Sequence, residues 1–323
     1  MSQVKPRVLN GSRVYSLFPA LLLLACIFFA GCTVHTISSH AGIGFIPPAY
    51  GLNDGRMAVY FLDVGQGDSA LIQYNGTTIL IDAGEADEGP GIVTYLKHLG
   101  VSDIDLLIAT HPHSDHIGGM QDVLKNFNVR SVIDSGMPHT TTTYQKFLET
   151  VDHKNISYST VQQGDSFSPA PGLTLLVLSA PDGSKDQDLN DGSIVLRASY
   201  GRMNILFEGD AGTTAEESMI HSGLPLESQV LKVAHHGSSH GSGVPFLDRV
   251  RPEAAIISVG AGNPYNFPAE ETLLRLEDTG ALIFRTDTDG SIIVRTDGMT
   301  FSVETAKSGM YPFAVSAPAS ALV

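Results

Sequence analysis

The sequence predicts an α/β protein whose two strand-rich halves are compatible with an αββα sandwich. Three observations predict it. Short apolar runs rich in β-branched residues alternate with helix-period segments over most of the 323 residues. Several of these runs stop at clusters of Asp, His and Gly, where open α/β sheets place their ligands. A hydrophobic share of 42% and 33 glycines fit a globular, loop-rich chain of this class.

The first 31 residues read as a targeting segment. Lys5, Arg7 and Arg13 form a basic region, residues 17–30 are almost unbroken apolar sequence, and Phe29-Ala30-Gly31-Cys32 has the form of a lipobox with Cys32 as the lipidated residue. Phe29 departs from the usual Leu. The expectation is an extracytoplasmic lipoprotein anchored to a membrane; the alternative is an uncleaved transmembrane anchor over residues 14–34. Residues 32–56 read as a linker, 57–305 as the domain and 306–323 as a tail with no readable signal. Cys26 and Cys32 are the only cysteines, so the domain has no disulfide and no thiolate metal site, and its metal ligands must be His and carboxylate.

Formal net charge is −15. Residues 1–31 hold three basic and no acidic side chains, which leaves 16 basic against 34 acidic residues beyond them, a balance of −18. That balance is adverse to gripping nucleic acid, because phosphate contacts need local Lys and Arg, and cations could offset it only at their own site.

The domain opens with strands at 57–62, 70–74 and 78–82, the last two joined by an Asn75-Gly76 hairpin turn. A helix at 92–99 is stopped by Gly100, and the apolar run 104–109 reads as a buried strand. Helices follow at 119–126, 144–151 and 269–278. Strands follow at 129–133, 173–178, 193–199, 204–207, 231–234, 254–259, 281–284 and 292–295.

The strand at 104–109 delivers Thr110-His111-Pro112-His113-Ser114-Asp115-His116-Ile117-Gly118-Gly119. His111 and His113 suit one cation, and Asp115 and His116, further round the turn, suit a second. Asp63-Val64-Gly65-Gln66-Gly67-Asp68-Ser69 is a Gly-permitted turn whose acids could orient ligands or a water. Asp82, at a strand end, is either a hydrogen-bond acceptor for a ligating imidazole or a helix N-cap. Asp210 follows the strand at 204–207, and its carboxylate can bridge two cations. His235 and His236 point different ways, one toward metal and one toward substrate. His139, His153 and His221 read as surface or core polar residues.

These motifs, in this order, resemble the metallo-β-lactamase superfamily, an αββα sandwich of two mixed sheets flanked by helices. Leu62-Asp63-Val64-Gly65-Gln66-Gly67-Asp68, Phe207-Glu208-Gly209-Asp210 and Leu231-Lys232-Val233-Ala234-His235-His236-Gly237-Ser238 resemble the soluble C-terminal domain of the competence protein ComEC, here without its transmembrane helices. The resemblance implies two divalent metal ions, Zn²⁺ or Mn²⁺. His111 and His113 would hold one, Asp115, His116 and His236 the other, and Asp210 would bridge them. Asp63, Asp68, Asp82 and Asp191 would support the ligands. Catalysis would rest on Asp115, Asp210 and His235, with His235 contacting the scissile phosphate. Two positions depart from the pattern. Leu189-Asn190-Asp191-Gly192-Ser193 stands where many members carry a third histidine of the first site, so that Asn190 or Asp191 would have to supply oxygen, which favours Mn²⁺. Phe267, in Asn263-Pro264-Tyr265-Asn266-Phe267-Pro268, stands where a histidine is often found. The implied function is a phosphodiesterase, a nuclease acting on DNA. A hydrolase of esters, lactones or phosphorylcholine, and a non-catalytic binding protein, are the alternatives. Lys232, Arg197 and Arg202 beside the metals would favour nucleic acid. No protein partner is indicated.

Overall fold

The computed structural model describes residues 55–307 and 310–314; the targeting segment, Cys32 and nearly all of the linker lie outside the described residues. The chain starts as an antiparallel meander of β1 (Met57–Phe61), β2 (Ala70–Tyr74) and β3 (Thr77–Ile81). Asn75 and Gly76 both take positive φ, 49° and 81°, the turn that matches the twist of a two-residue hairpin. It then turns to parallel crossovers. These run through α1 (Gly89–His98), β4 (Asp103–Ile104), β5 (Leu106–Ala109), α2 (Ser114–Ile117), α3 (Met120–Asn126), β6 (Asn128–Val129), β7 (Ser131–Asp134), α4 (Thr142–His153) and β8 (Ser157–Ser159). Strands β3, β5, β7 and β8 are parallel neighbours, and β4 with β6 makes a small separate pair.

The second half repeats the plan. Strands β9 (Ser166–Ala170), β10 (Leu173–Ser179), β11 (Val195–Tyr200) and β12 (Met203–Phe207) are antiparallel. Then α5 (Thr213–Ser222), β13 (Val230–Lys232), a 3₁₀ turn at Ala234–Gly237, α6 (Val244–Val250), β14 (Ala254–Ile257), α7 (Glu270–Asp278), β15 (Leu282–Arg285) and α8 (Thr286–Asp289) follow, with β12 to β15 parallel. The chain finally returns to the first sheet with β16 (Ile292–Thr296), β17 (Thr300–Thr305) and β18 (Met310–Ala314). Among the described residues the sheets have nine and seven strands, ordered β18-β17-β16-β1-β2-β3-β5-β7-β8 and β15-β14-β13-β12-β11-β10-β9.

Period-two alternation explains the layers. Met57, Val59 and Phe61 of β1 enter the core between the sheets, where Phe61 stacks on Phe207 with centroids 5.8 Å apart. Ala58, Tyr60 and Leu62 point the other way, into a second core with Ile92, Leu96 and Val123 of the helices over that face. A third core joins Leu206, Leu231 and Ala255 to Ala215, Phe246 and Leu276. Both faces of the central strands are covered, which is why they read as unbroken apolar runs. The αββα sandwich is therefore present.

Helices α5, α6 and α8 and strands β8, β9 and β17 fall in stretches left unassigned above. Helix α5 presents only Ala215, Glu216 and Met219 to the interior, too little apolar period to read. The apolar tail also carries β18, at the sheet edge beyond the boundary expected at 305. Its Pro312 argues against a strand in the sequence and is tolerated because an edge strand can lack one donor.

Candidate metal centre

The C-terminal ends of β3, β5, β12 and β13 converge, and each releases a loop that carries site residues. After β5 the chain takes one extended step, with His113 at φ −69° and ψ 149°, before α2 places Asp115 and His116 on its first turn. Backbone bonds lock this loop to its neighbours: Asp68 N–H donates to Asp115 O (3.1 Å), Ala83 N–H to His116 O (2.7 Å) and Gly119 N–H to Gly84 O (3.1 Å). Such close approach explains two glycines. A Cβ on Gly67, at φ +146°, would lie 2.4 Å from Asp115 O, and one on Gly119 would lie 2.2 Å from Ala83 O.

His111 Nε2 and His113 Nδ1 face each other at 3.0 Å. Two nitrogens bound to one cation at about 2.0–2.1 Å are separated by about 3.3 Å, so this spacing suits two ligands of a single ion. One ligand atom each from Asp115, His116, Asp210 and His236 lies within 4.8 Å of the others. Asp210 stands between the groups. Its Oδ1 is 3.2 Å from His116 Nε2, and its Oδ2 is 3.8 Å from His111 Nε2 and 3.7 Å from His236 Nε2. His236 Nε2 is also 3.2 Å from Asp115 Oδ2.

The opposite ring nitrogens are committed elsewhere. His116 Nδ1–H donates to Asp82 Oδ2 at 2.8 Å, and that carboxylate is itself held by the amide and hydroxyl of Thr110. His236 Nδ1–H donates to Ser258 O at 3.0 Å, with Asp68 Oδ1 at 3.3 Å. His111 Nδ1 meets the hydroxyls of Thr110 and Ser193, and Ser193 Oγ also accepts the Asp210 N–H. These bonds fix the tautomers and leave each Nε2 lone pair aimed at the cluster. With its Nε2 unprotonated, His116 sets a buried acceptor beside Asp210 Oδ1, so the two need a shared positive charge, a proton or a metal cation, between them. A cation satisfies both, and the donor set of imidazoles and carboxylates fits Zn²⁺ or Mn²⁺. Asp82, His235 and His236 all take left-handed backbone, with φ of 57°, 46° and 54°. Strain held at three site residues is what a surrounding fold maintains for function.

The electrostatics agree. Burial would lower the His116 pKa, yet Asp210, Asp82 and Asp115 hold it well above the ordinary imidazole value. His236 is likewise raised, to about 9, against its burial, by Asp210, Asp115 and Asp68. Burial would raise Asp210, but His116, His236 and His111 keep it well below the usual carboxylate range. The cluster thus attracts positive charge, whether protons or metal cations. Burial, followed by the charge of His116, depresses the His111 pKa. Replacing Asp82 with Ala removes the acceptor that orients His116, and cation affinity falls by about 10–100-fold. Chelator competition measures this, and an unchanged affinity would contradict the orienting role.

Asp82 accepts from His116, and Asp68 lies 3.3 Å from His236 Nδ1. Asp68 also pairs with the buried ammonium of Lys232. Two expectations need correction. Asp63 accepts the Gly65 N–H at 3.4 Å while its own amide donates to Ser291, so it shapes its turn without bonding to a ligating imidazole. Asp191 Oδ1 accepts from Gly212 N at 2.9 Å and Ala215 N at 3.5 Å, which braces the loop after Asp210 and the start of α5. Asn190 Oδ1 is buried without a hydrogen-bond partner. The expected basic side chains are engaged elsewhere as well. Lys232 is buried, Arg197 bonds to Glu227 O and Ser199 Oγ, and Arg202 precedes β12, at the opposite end of that strand from Asp210. Ser193 was not singled out in the sequence, because a serine carries no metal-site signal of its own. His139, read as a bystander, packs edge-on to His113 with centroids 6.0 Å apart, its Nδ1 3.0 Å from Thr141 Oγ1.

Comparison with known proteins agrees with this geometry. The chain is 30% identical over 266 residues to ComE operon protein 3 of Bacillus subtilis, covering 76% of this chain and 34% of that one. It is 34% identical over 252 residues to competence protein ComA of Neisseria gonorrhoeae, covering 77% and 33%. To endoribonuclease ysh1 of Emericella nidulans it is 26% identical over 205 residues, covering 58% and 23%. The chain therefore spans about a third of the length of the two competence relatives. The profile of the Metallo-beta-lactamase superfamily matches residues 62–261, the stretch from the end of β1 through every residue of the cluster. With its strand ends gathering these imidazoles and carboxylates, the chain belongs to the metallo-beta-lactamase superfamily.

Proposed function

We propose that this protein is a two-metal phosphodiesterase acting on nucleic acid, held to a membrane outside the cytoplasm through its N-terminal segment. The observation that carries the proposal is the Asp210 carboxylate, which lies between the two groups of imidazoles in one buried cluster, with Oδ1 3.2 Å from His116 Nε2 and Oδ2 3.8 Å from His111 Nε2 and 3.7 Å from His236 Nε2. His111, His113 and Asp210 would hold one cation, and Asp115, His116, His236 and Asp210 the other, as Mn²⁺ or Zn²⁺. When bound, the pair supplies Lewis acidity toward a phosphoryl oxygen and toward an attacking water. His235 is the substrate-facing partner. It is 28% exposed at the mouth, its Nε2 is 3.7 Å from Asp210 Oδ2, and burial lowers its pKa so that a neutral ring donates one N–H to a phosphoryl oxygen. Asp115 is 25% exposed; burial would raise its pKa, but His116 and His236 lower it, so the carboxylate stays ionised, ready to bind its cation and to accept a hydrogen bond that holds the water in line.

The relation to competence proteins and to an endoribonuclease supports nucleic acid as substrate. The basic segment, apolar run and Cys32 support lipid anchoring. The acidic balance and the engaged Lys232 and Arg197 favour a second reading, a small phosphodiester or carbonyl substrate. A panel of single-stranded DNA, single-stranded RNA, bis-p-nitrophenyl phosphate and a lactone, each with Mn²⁺ or Zn²⁺, separates them. We expect hydrolysis of the phosphodiesters, including at least one nucleic acid, and none of the lactone. Turnover of the lactone alone would move the protein to carbonyl chemistry.

A further inference from the structure

The loop between β14 and α7 carries an aromatic pair that the chemistry above does not use. Tyr265 is 61% exposed, and one face of its ring stacks on Phe267 at a centroid distance of 5.5 Å and an interplanar angle of 21°. Phe267 in turn meets the His235 ring edge-on at 5.6 Å. These two steps put Tyr265 within about 11 Å of the ring that faces the scissile group. The loop is built to display it. Asn263 Oδ1 accepts the amides of Tyr265 and Phe267 at 3.1 and 3.0 Å, and its Nδ2 donates to Gly260 O and Phe267 O at 3.0 and 2.7 Å. Gly260 N–H donates to Gln66 Oε1, and Ala269 N–H donates to Gly237 O, so both ends are tied to segments that carry site residues.

A large exposed ring held this firmly beside a reaction centre has one face covered by Phe267 and the other open to solvent. Bases bind such faces by stacking, without regard to sequence, and they are accessible only when out of a duplex. Two of the three basic side chains that could contact a phosphate backbone are engaged elsewhere, Lys232 with Asp68 and Arg197 with Glu227 and Ser199, which leaves base stacking as the contact this face offers. The phenylalanine at 267 fits the same purpose, since an apolar ring supports the tyrosine on one side and flanks His235 on the other.

We propose that Tyr265, backed by Phe267, is a stacking platform for an unpaired nucleobase flanking the scissile phosphate, so that the substrate is single-stranded. This rests on the nucleic-acid phosphodiesterase reading. The test assays the purified protein with Mn²⁺ on a single-stranded oligodeoxynucleotide, on its duplex and on the same strand built from abasic residues, alongside Tyr265→Ala and Tyr265→Phe. Calorimetry of (dT)6 binding, with the same substitutions in an Asp210→Asn background, reads the platform without turnover. Tyr265→Ala raises KM for the single strand and Kd for (dT)6 about tenfold, within the range that base stacking contributes, and Tyr265→Phe restores both. The parent loses a similar factor on the abasic strand, where it converges with Tyr265→Ala, and cuts the duplex at least tenfold less well. Equal KM for normal and abasic strands, or a (dT)6 affinity indifferent to Tyr265→Ala, overturns the platform. Hydrolysis of bis-p-nitrophenyl phosphate with no cleavage of any of these strands or of single-stranded RNA overturns the nucleic-acid reading instead, while (dT)6 binding that depends on Tyr265 upholds the platform even then.

Discussion

Asp210→Asn lowers phosphodiester turnover by about 10³-fold or more and removes at least one of the two cations. An amide offers one neutral oxygen where the carboxylate offers two charged ones, so the groups around His111 and around His116 and His236 lose their shared anion. His235→Ala provides the contrast. Its ring is the most exposed of those near Asp210 and sits in left-handed backbone at the mouth, so removing it costs about 10²-fold in turnover while both cations stay bound. Metal content and turnover measured on the same preparations separate the roles. Loss of metal in the His235 variant would make it a ligand and would reassign the substrate-facing position.

The metal-free protein becomes less stable as pH rises from about 6.5 through 9. His236 has its folded pKa pushed up to about 9, and His116 stands well above the ordinary value, whereas imidazoles of the unfolded chain titrate near 6.5. A raised folded pKa contributes stability that is complete below the unfolded value and lost as pH passes the folded one. His236 alone accounts for roughly 3 kcal/mol, which corresponds to a Tm lower by roughly 6 °C at pH 9.5 than at pH 6.5. His111 and His235, both depressed in the fold, act with the opposite sign, but only at the lower edge of this window, where imidazoles of the unfolded chain finish losing their protons. The buried pair Glu208 and Glu216, both raised by burial, acts with the same sign as His236. Cations separate the two contributions. Mn²⁺ takes the place of protons at the imidazoles, so it binds more tightly at higher pH and suppresses the imidazole part of the loss, leaving the carboxyl pair's. Thermal melts at pH 6.5, 8 and 9.5, with and without Mn²⁺, measure the effect; a metal-free Tm that is flat or rising would contradict it.

The ligand loop was legible because its chemistry is local. Three imidazoles and a carboxylate in six residues, behind the apolar run that becomes β5, announce both a metal site and its place at a strand end. The supporting set was only half legible, because support depends on contacts across 17 to 168 residues of chain. Asp82 meets His116 and Thr110, but Asp63 and Asp191, equally acidic and equally close to glycines, turn to backbone amides instead. No local pattern distinguishes a carboxylate that caps a turn from one that meets a ring brought up from a distant strand. His139 and Tyr265 show the same limit: nothing beside them in sequence says that they come to rest next to His113 and near His235. In the fold, the strands covered on both faces were the readable ones. Helix α5, with few inward apolar residues, and edge strand β18, interrupted by Pro312, were not.

The central claim is that one buried cluster holds two cations joined by Asp210. The most direct test is metal stoichiometry by equilibrium dialysis against Mn²⁺ and, separately, Zn²⁺, on the parent and on Asp210→Asn. The account predicts two cations per parent chain and at most one in the variant. Fewer than two in the parent with either metal, or two in both proteins, would contradict it.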